Sequence, residues 1–179
     1  MKEVEVKIIE IDREQVESKL RSLGATKTLD NDIDTLFFDF PDNSISKAKN
    51  LLRLRRVGDK TTLTFKKFVE SDTAKVRVEN EVTVSDLGTA KSILQFLGLI
   101  PTLHMEKHRT SYSLAISVEV DIDEYTGRYS HIPTLLEIEG PDIATIQTHA
   151  QSLGFKPEQC KSWTTFDLID YYSRKEIVT

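Results

Sequence analysis

Cysteine is nearly absent from this sequence, and that shortage limits how the fold can be held together. Cys160 is the only cysteine among 179 residues, so no disulfide can form within the chain, and it has no partner at zinc-ligand spacing. Apolar runs are short, and none approaches the roughly 20 residues that a membrane helix requires. The first residues also lack the apolar core of a signal peptide. We therefore expect a cytoplasmic protein that is neither disulfide-bonded nor membrane-bound.

A positive net charge is missing as well. The formal net charge is -5, which disfavours a function based on general attraction to nucleic acid or anionic lipid. The glycine-rich loops of P-loop and Rossmann proteins are absent, and no histidine has a cysteine partner that would complete a zinc site. Because no linker rich in proline, glycine and serine interrupts the chain, we expect residues 1–179 to form one domain.

What the sequence does contain is a series of segments in which apolar and polar residues alternate, as in a strand with one buried face. They lie near residues 2–10, 33–40, 51–57, 60–68, 74–84, 103–112, 115–124 and 133–140, and they predict about eight strands. The Gly58-Asp59 turn predicts an antiparallel hairpin between two of them. Helical periodicity marks residues 13–23, 87–97, 141–154 and 164–174. The fold class predicted is therefore α+β, with strands outnumbering helices.

Charged residues of like sign recur two positions apart, on the strand face opposite the apolar residues. The acidic pairs are Glu3/Glu5, Glu79/Glu81, Asp121/Asp123 and Glu137/Glu139, and the basic pairs are Arg53/Arg55, Lys75/Arg77 and Lys107/Arg109. A solvated sheet face gains stability by interleaving opposite signs, so repeated pairs of one sign need another explanation. Carboxylate pairs are the oxygen ligands that Mg²⁺ or Mn²⁺ prefers, and basic pairs suit phosphate. Such crowding also predicts that removing one carboxylate, for example that of Glu137, relieves repulsion and raises stability.

The same pattern bears on the shape of the sheet. If the charged face points into a closed sheet, the interior cannot be a dry core, because burying so many unpaired ions costs too much. An antiparallel barrel of about eight strands has room for one small ligand. We therefore expect a closed or nearly closed eight-stranded antiparallel β-barrel around a charged tunnel, with helices packed outside. The alternative is a β-sandwich whose charged faces are solvated.

A run of short motifs resembles a known family. Glu3-Val4-Glu5-Val6-Lys7 is followed, in the family's order, by Phe38-Asp39, Leu52-Arg53-Leu54-Arg55, Leu63-Thr64-Phe65-Lys66, Arg77-Val78-Glu79-Asn80-Glu81, Glu106-Lys107-His108-Arg109, Asp121-Ile122-Asp123, Leu136-Glu137-Ile138-Glu139 and Lys161-Ser162-Trp163. The series resembles the CYTH superfamily, named for class IV adenylyl cyclase and thiamine triphosphatase and also called the triphosphate tunnel metalloenzymes. The resemblance spans nearly the whole chain and implies one triphosphate tunnel domain.

The resemblance also implies a role for each charged position. Mg²⁺ or Mn²⁺ would be the cofactor, bound by Glu3, Glu5, Asp121, Asp123, Glu137 and Glu139. The catalytic cations would be Lys7, Lys66, Lys107 and Arg109, and the substrate-binding cations would be Arg53 and Arg55, with Lys75 and Arg77 as secondary ligands. These roles are chemically consistent, since a triphosphate carries about four negative charges and phosphoryl transfer depends on positioning and neutralising that charge.

Three functions fit this assignment. The first is an adenylyl cyclase-like reaction that converts ATP to cyclic AMP and pyrophosphate. The alternative is hydrolysis of inorganic tripolyphosphate or of a nucleoside or thiamine triphosphate, and the third is a non-catalytic polyanion-binding module. Phe37 and Phe38 stand where thiamine triphosphatases carry a tyrosine-containing pair, which disfavours a specialised thiamine triphosphatase. The expected partner is thus ATP or tripolyphosphate, not nucleic acid or a membrane, and a homodimer is left open.

Overall fold

The computed structural model describes residues 4–69 and 76–176, and its strands form one sheet. The strands are β1 (Val4–Ile8), β2 (Thr26–Asp39), β3 (Leu51–Val57), β4 (Lys60–Val69), β5 (Val76–Val84), β6 (Ile100–Ala115), β7 (Val118–Thr126) and β8 (Leu135–Gly140). Their order in the sheet is β1-β8-β7-β6-β2-β3-β4-β5. The prediction of an eight-stranded antiparallel sheet is confirmed.

Apart from the single 3-10 turns Gly127–Tyr129 and Pro157–Gln159, α-helices make up the rest of the regular structure. They are α1 (Arg13–Ser22), α2 (Ser44–Lys47), α3 (Leu87–Phe96), α4 (Ile143–Ser152) and α5 (Thr165–Glu176). Three of them begin after an aspartate, Asp12, Asp86 or Asp142, whose side chain accepts a hydrogen bond from a backbone N–H of the first turn. The predicted α+β class is confirmed. The short α2 was not predicted, because one turn carries no apolar periodicity.

The chain divides into two compact units, and strands β2 and β6 contribute residues to both. The first unit comprises residues 1–31 and 107–179, and the second comprises residues 32–106. In the core of the first unit, Leu20 of α1 and Ile146 of α4 are completely buried together with Ile138 of β8. In the second unit, Leu54 of β3 is completely buried among Leu36, Phe38 and Leu52, and α3 adds Leu94. Each unit therefore has its own apolar core.

The second strand is longer than its apolar pattern predicted. It begins at Thr26 rather than near residue 33, because its first half is polar and exposed and so shows no alternation. The Gly58-Asp59 turn does join β3 to β4, with Val57 opposite Lys60. Within residues 4–69 and 76–176, no helix is both long enough and apolar enough to cross a bilayer.

Candidate functional site

Four strands of the first unit bring charged side chains together. Lys7 of β1 pairs in register with Glu137 of β8, and Glu137 pairs with Asp121 of β7. Because cross-strand partners lie about 5 Å apart at Cβ, these side chains share one region of one face. Contacts add Asp123 of β7 and the β6 residues Lys107 and Arg109. We call these six residues the ionic cluster.

Glu137 lies at the centre of the ionic cluster. Its carboxylate contacts the Lys7 ammonium and the Arg109 guanidinium, and its Oε2 lies 3.9 Å from Lys107 Nζ. Burial alone would raise the pKa of Glu137, but Arg109, Lys107 and Lys7 together hold it well below its ordinary value. Burial would likewise lower the pKa of Lys7, and the Glu137 and Glu5 carboxylates outweigh it and raise that pKa. Glu137 is therefore a carboxylate that three cations keep ionised.

Asp123 is bound by cations on both oxygens. Arg109 donates to Oδ1 and Oδ2 at 2.6 Å each, and Lys107 Nζ lies 2.5 Å from Oδ2. The aspartate is completely buried. Burial and the neighbouring Arg109 lower the pKa of Lys107, whereas Asp123 and Glu137 outweigh burial and raise the pKa of Arg109 well above its ordinary value. The Arg109–Asp123 fork, with two parallel hydrogen bonds, fixes the orientation of the guanidinium.

Not all carboxylates of this unit are equally available to a metal. Asp121 Oδ1 is buried and accepts no hydrogen bond in the described part of the chain, and burial raises the pKa of Asp121. The Glu5 side chain is 54% exposed and can rotate. Within the ranges described, no group of three or more histidine, cysteine, aspartate or glutamate side chains is arranged so that it could hold a metal ion. The oxygen donors of Glu5, Asp121 and Glu137 nevertheless fit the preference of Mg²⁺ or Mn²⁺.

The second unit carries its own group of cations. Arg53 and Arg55 of β3 share one face with Lys66 of β4, opposite the face that packs Leu52 and Leu54 into the core. We call this the cationic face. Lys66 Nζ lies 2.8 Å from a Glu79 oxygen and Arg53 lies 3.7 Å from the other oxygen. Burial would raise the pKa of Glu79, but Lys66, Arg53 and Arg55 outweigh it and lower that pKa.

The structure thus brings together predicted site residues within each unit, with one difference from the sequence pattern. Like-signed pairs follow each strand, but contacts between strands also bring cations to carboxylates, as in Lys7 opposite Glu137 and Arg109 bonded to Asp123. Glu139 lies on β8 opposite Glu5 and Glu119, beside the ionic cluster. Glu3 and Lys75 lie outside the described residues, and the side chain of Arg77 is not described.

Two threonines on the cationic face were missed by the sequence analysis. Thr64 of β4 is completely buried and donates a hydrogen bond to Glu81 at 2.8 Å. Thr35 of β2 is completely buried opposite Arg55. The signal for Thr35 was its polarity, because its two neighbours on the same face of the strand, Ile33 and Phe37, are apolar. Threonine is common in strands, so that signal did not stand out.

Comparison with known proteins identifies the family and the fold. Residues 1–157 match the CYTH domain. A protein from Pyrococcus horikoshii is similar in structure, with TM-score 0.75 and 22% identity over 93% of this chain and 99% of that chain. A candidate adenylate cyclase from Vibrio parahaemolyticus has TM-score 0.76 and 14% identity over 94% of this chain and 97% of that chain. A candidate adenylyl cyclase from Hippeastrum is described as having a dominant triphosphatase activity. It has TM-score 0.66 and 14% identity over 96% of both chains. No curated protein matches the chain.

Proposed function

The chain belongs to the CYTH family, and from this premise we propose that it is a metal-dependent enzyme that hydrolyses a triphosphate. The observation that carries this proposal is the set of cations that carboxylates hold in place at buried or half-buried positions. In the first unit these are Lys7, Lys107 and Arg109. In the second they include Arg53 and Lys66, both anchored by Glu79. A triphosphate, with about four negative charges, is a ligand that suits a group of cations such as either unit contains.

The anchored cations would act by neutralising charge. Phosphoryl transfer leaves little covalent chemistry for the protein, so binding and electrostatic stabilisation do most of the catalysis. Arg109 is already oriented by two hydrogen bonds to Asp123, and Lys66 by its contact with Glu79. Because these groups are fixed before substrate arrives, they need not reorganise as charge moves onto the leaving phosphate.

Glu5, Asp121 and Glu137 are the residues that would hold the divalent metal, Mg²⁺ or Mn²⁺. When bound there, the metal would polarise phosphoryl oxygens and neutralise their charge. Glu137 contacts Lys7 and Arg109, so the same carboxylate would also hold two phosphate-binding cations in place. The remaining N–H groups of those cations would donate to phosphate oxygens.

Water would be the nucleophile in this reaction. The water oxygen forms a bond to the terminal phosphorus as the bond from that phosphorus to the bridging oxygen breaks. The bridging oxygen keeps the electron pair of the broken bond and leaves as part of the diphosphate group. The residues that support the proposal all bind phosphate or metal, which is enough for hydrolysis. A cyclase must in addition orient a ribose hydroxyl, and we assign no side chain of the described ranges to that task. Adenylyl cyclase activity remains the second candidate, favoured by the Leu136-Glu137-Ile138-Glu139 sequence of β8.

A pair of adjacent arginines provides the test. Arg55 lies on the cationic face, whereas Arg56 lies on the opposite parity of β3, 53% exposed and bonded to Asp34. Arg55→Ala should weaken binding of inorganic tripolyphosphate about tenfold or more, since charge-assisted contacts are worth about 1.5–3 kcal/mol each. Titration calorimetry with Ca²⁺ in place of Mg²⁺ measures this. Arg56→Ala, the matched control, should bind as wild type, and equal affinities for the two variants would overturn the assignment.

A further inference from the structure

A row of side chains crosses the cationic face of the second unit at the position of Arg55. Thr35 of β2 pairs in register with Arg55 of β3, Arg55 with Thr62 of β4, and Thr62 with Thr83 of β5. Cross-strand partners of this kind have Cβ atoms about 5 Å apart on the same face. Arg55 is therefore flanked by a threonine on each side, and Thr35 and Thr62 are both buried.

The Thr35 hydroxyl is a buried polar group without a partner. Thr35 is completely buried, and its Oγ1 makes no hydrogen bond to any group of the described chain. Buried hydroxyls in folded proteins are almost always hydrogen-bonded, because an unsatisfied one loses its interaction with water and gains nothing in return. A buried and unsatisfied hydroxyl beside a phosphate-binding arginine therefore needs an explanation.

The next row along the same face contains a second buried threonine, and its hydroxyl, unlike that of Thr35, has a hydrogen-bond partner. There Phe37 pairs with Arg53, and Arg53 pairs with Thr64. The Thr64 hydroxyl already donates to a Glu81 oxygen at 2.8 Å, and on the side of β2 Arg53 faces a phenyl ring rather than a hydroxyl. Of Thr35 and Thr64, the two completely buried threonines beside these arginines, only Thr35 retains a donor for a ligand.

We infer that Thr35 is a further substrate-binding residue, whose hydroxyl donates a hydrogen bond to a phosphate oxygen that Arg55 also binds. This inference rests on the proposed function and names one residue pair within it. A neutral donor beside a guanidinium suits a tetrahedral phosphoryl group, which has several oxygens to share. Thr35 is completely buried, so a neighbouring side chain must move before substrate reaches its hydroxyl, and we assign that movement to its cross-strand partner Arg55. The hydroxyl is thus left unsatisfied in the ligand-free protein and satisfied in the complex.

Replacement of Thr35 by valine tests the inference, since valine has nearly the same shape and lacks only the hydroxyl. Calorimetry with inorganic tripolyphosphate and Ca²⁺ should show about tenfold weaker binding, the usual effect of losing one hydrogen bond to a charged group. Thr35→Ser keeps the hydroxyl and should stay within about threefold of wild type. Without ligand, Thr35→Val should melt no lower than wild type, because it removes an unsatisfied polar group.

Thr61→Val is the matched control. Thr61 is a buried threonine of β4, but it lies on the opposite parity from Thr62 and Thr64, the parity of Leu63 and Phe65 in the apolar core. Its variant should bind tripolyphosphate as wild type does. The inference would be overturned if Thr35→Val bound tripolyphosphate with wild-type affinity. It would also be overturned if Thr35→Ser or Thr61→Val lost as much affinity as Thr35→Val. Either result would leave the proposed function standing. Failure of wild type itself to bind tripolyphosphate would overturn both.

Discussion

Glu137 offers the sharpest test of the ionic cluster, because the structure reverses what the sequence predicted for it. Crowded carboxylates would make Glu137→Gln stabilising. The carboxylate instead contacts Lys7 and Arg109 and lies near Lys107, so the substitution leaves three cations without their shared counter-charge. We therefore expect Glu137→Gln to destabilise the protein in the absence of metal.

The size of the effect follows from burial and contacts. Removing one partner of a buried ion pair costs about 3–5 kcal/mol, and glutamine keeps one carbonyl acceptor, so we expect a loss of about 2–4 kcal/mol in the free energy of unfolding. For a chain of this size, that corresponds to a fall of about 4–16 °C in Tm. Glu119 on β7 is exposed, so the same change there should alter stability by less than about 0.5 kcal/mol.

The pH dependence distinguishes lost charge from lost shape. The pKa of Glu137 is lower in the folded chain than its ordinary value of 4.5, so its stabilising contribution is present above that pH. The contribution is lost as the pH falls through the folded pKa. Urea unfolding in EDTA should therefore show a wide gap between wild type and Glu137→Gln at pH 7 that narrows below about pH 4.5. A variant as stable as wild type at pH 7, or a gap independent of pH, would refute the reasoning.

Two further predictions concern contacts outside the ionic cluster. Asp39 is buried and accepts hydrogen bonds from the backbone N–H groups of Phe40, Ile45 and Ser46, so Asp39→Asn should lower the free energy of unfolding by about 1–3 kcal/mol in urea, while Asp42→Asn, at an exposed position, should not. Tyr172→Phe removes the hydroxyl that donates to Glu10 at 3.0 Å and should cost about 0.5–1.5 kcal/mol by the same measurement. An unchanged midpoint in either case would show that the hydrogen bonds contribute nothing.

Most strand positions, and the face of the sheet on which each charged residue lies, were predictable from the sequence, because alternation is a local signal; the polar first half of β2 was the exception. Leu52 and Leu54 read as one face and Arg53 and Arg55 as the other, and the structure separates them in that way. The short α2 was not predictable, since its formation depends on Asp39, whose carboxylate accepts the N–H groups of Ile45 and Ser46. Such a contact between a strand end and a loop leaves no periodic pattern.

The ion-pair partners of the charged residues were harder to predict from the sequence than the strands and helices. Like-signed pairs along β8 and β7 suggested repulsion, whereas register places Lys7 beside Glu137 and folding brings Arg109 to Asp123. Cross-strand register depends on pairings distant in sequence, so a single strand cannot reveal which opposite charge stands next to it. Thr35 was missed for the same reason, because its significance lies in its place opposite Arg55.

The most direct test of the central claim is to give the purified wild-type protein inorganic tripolyphosphate, ATP and thiamine triphosphate, each with Mn²⁺, with Mg²⁺ or with EDTA. Orthophosphate, pyrophosphate and cyclic AMP would be quantified separately. We predict that tripolyphosphate is converted to orthophosphate and pyrophosphate with either metal, that EDTA stops the reaction, and that Arg55→Ala is impaired while Arg56→Ala is not. Cyclic AMP as the main product from ATP would show that the reaction is cyclisation rather than hydrolysis. No turnover of any triphosphate with either metal would contradict the claim.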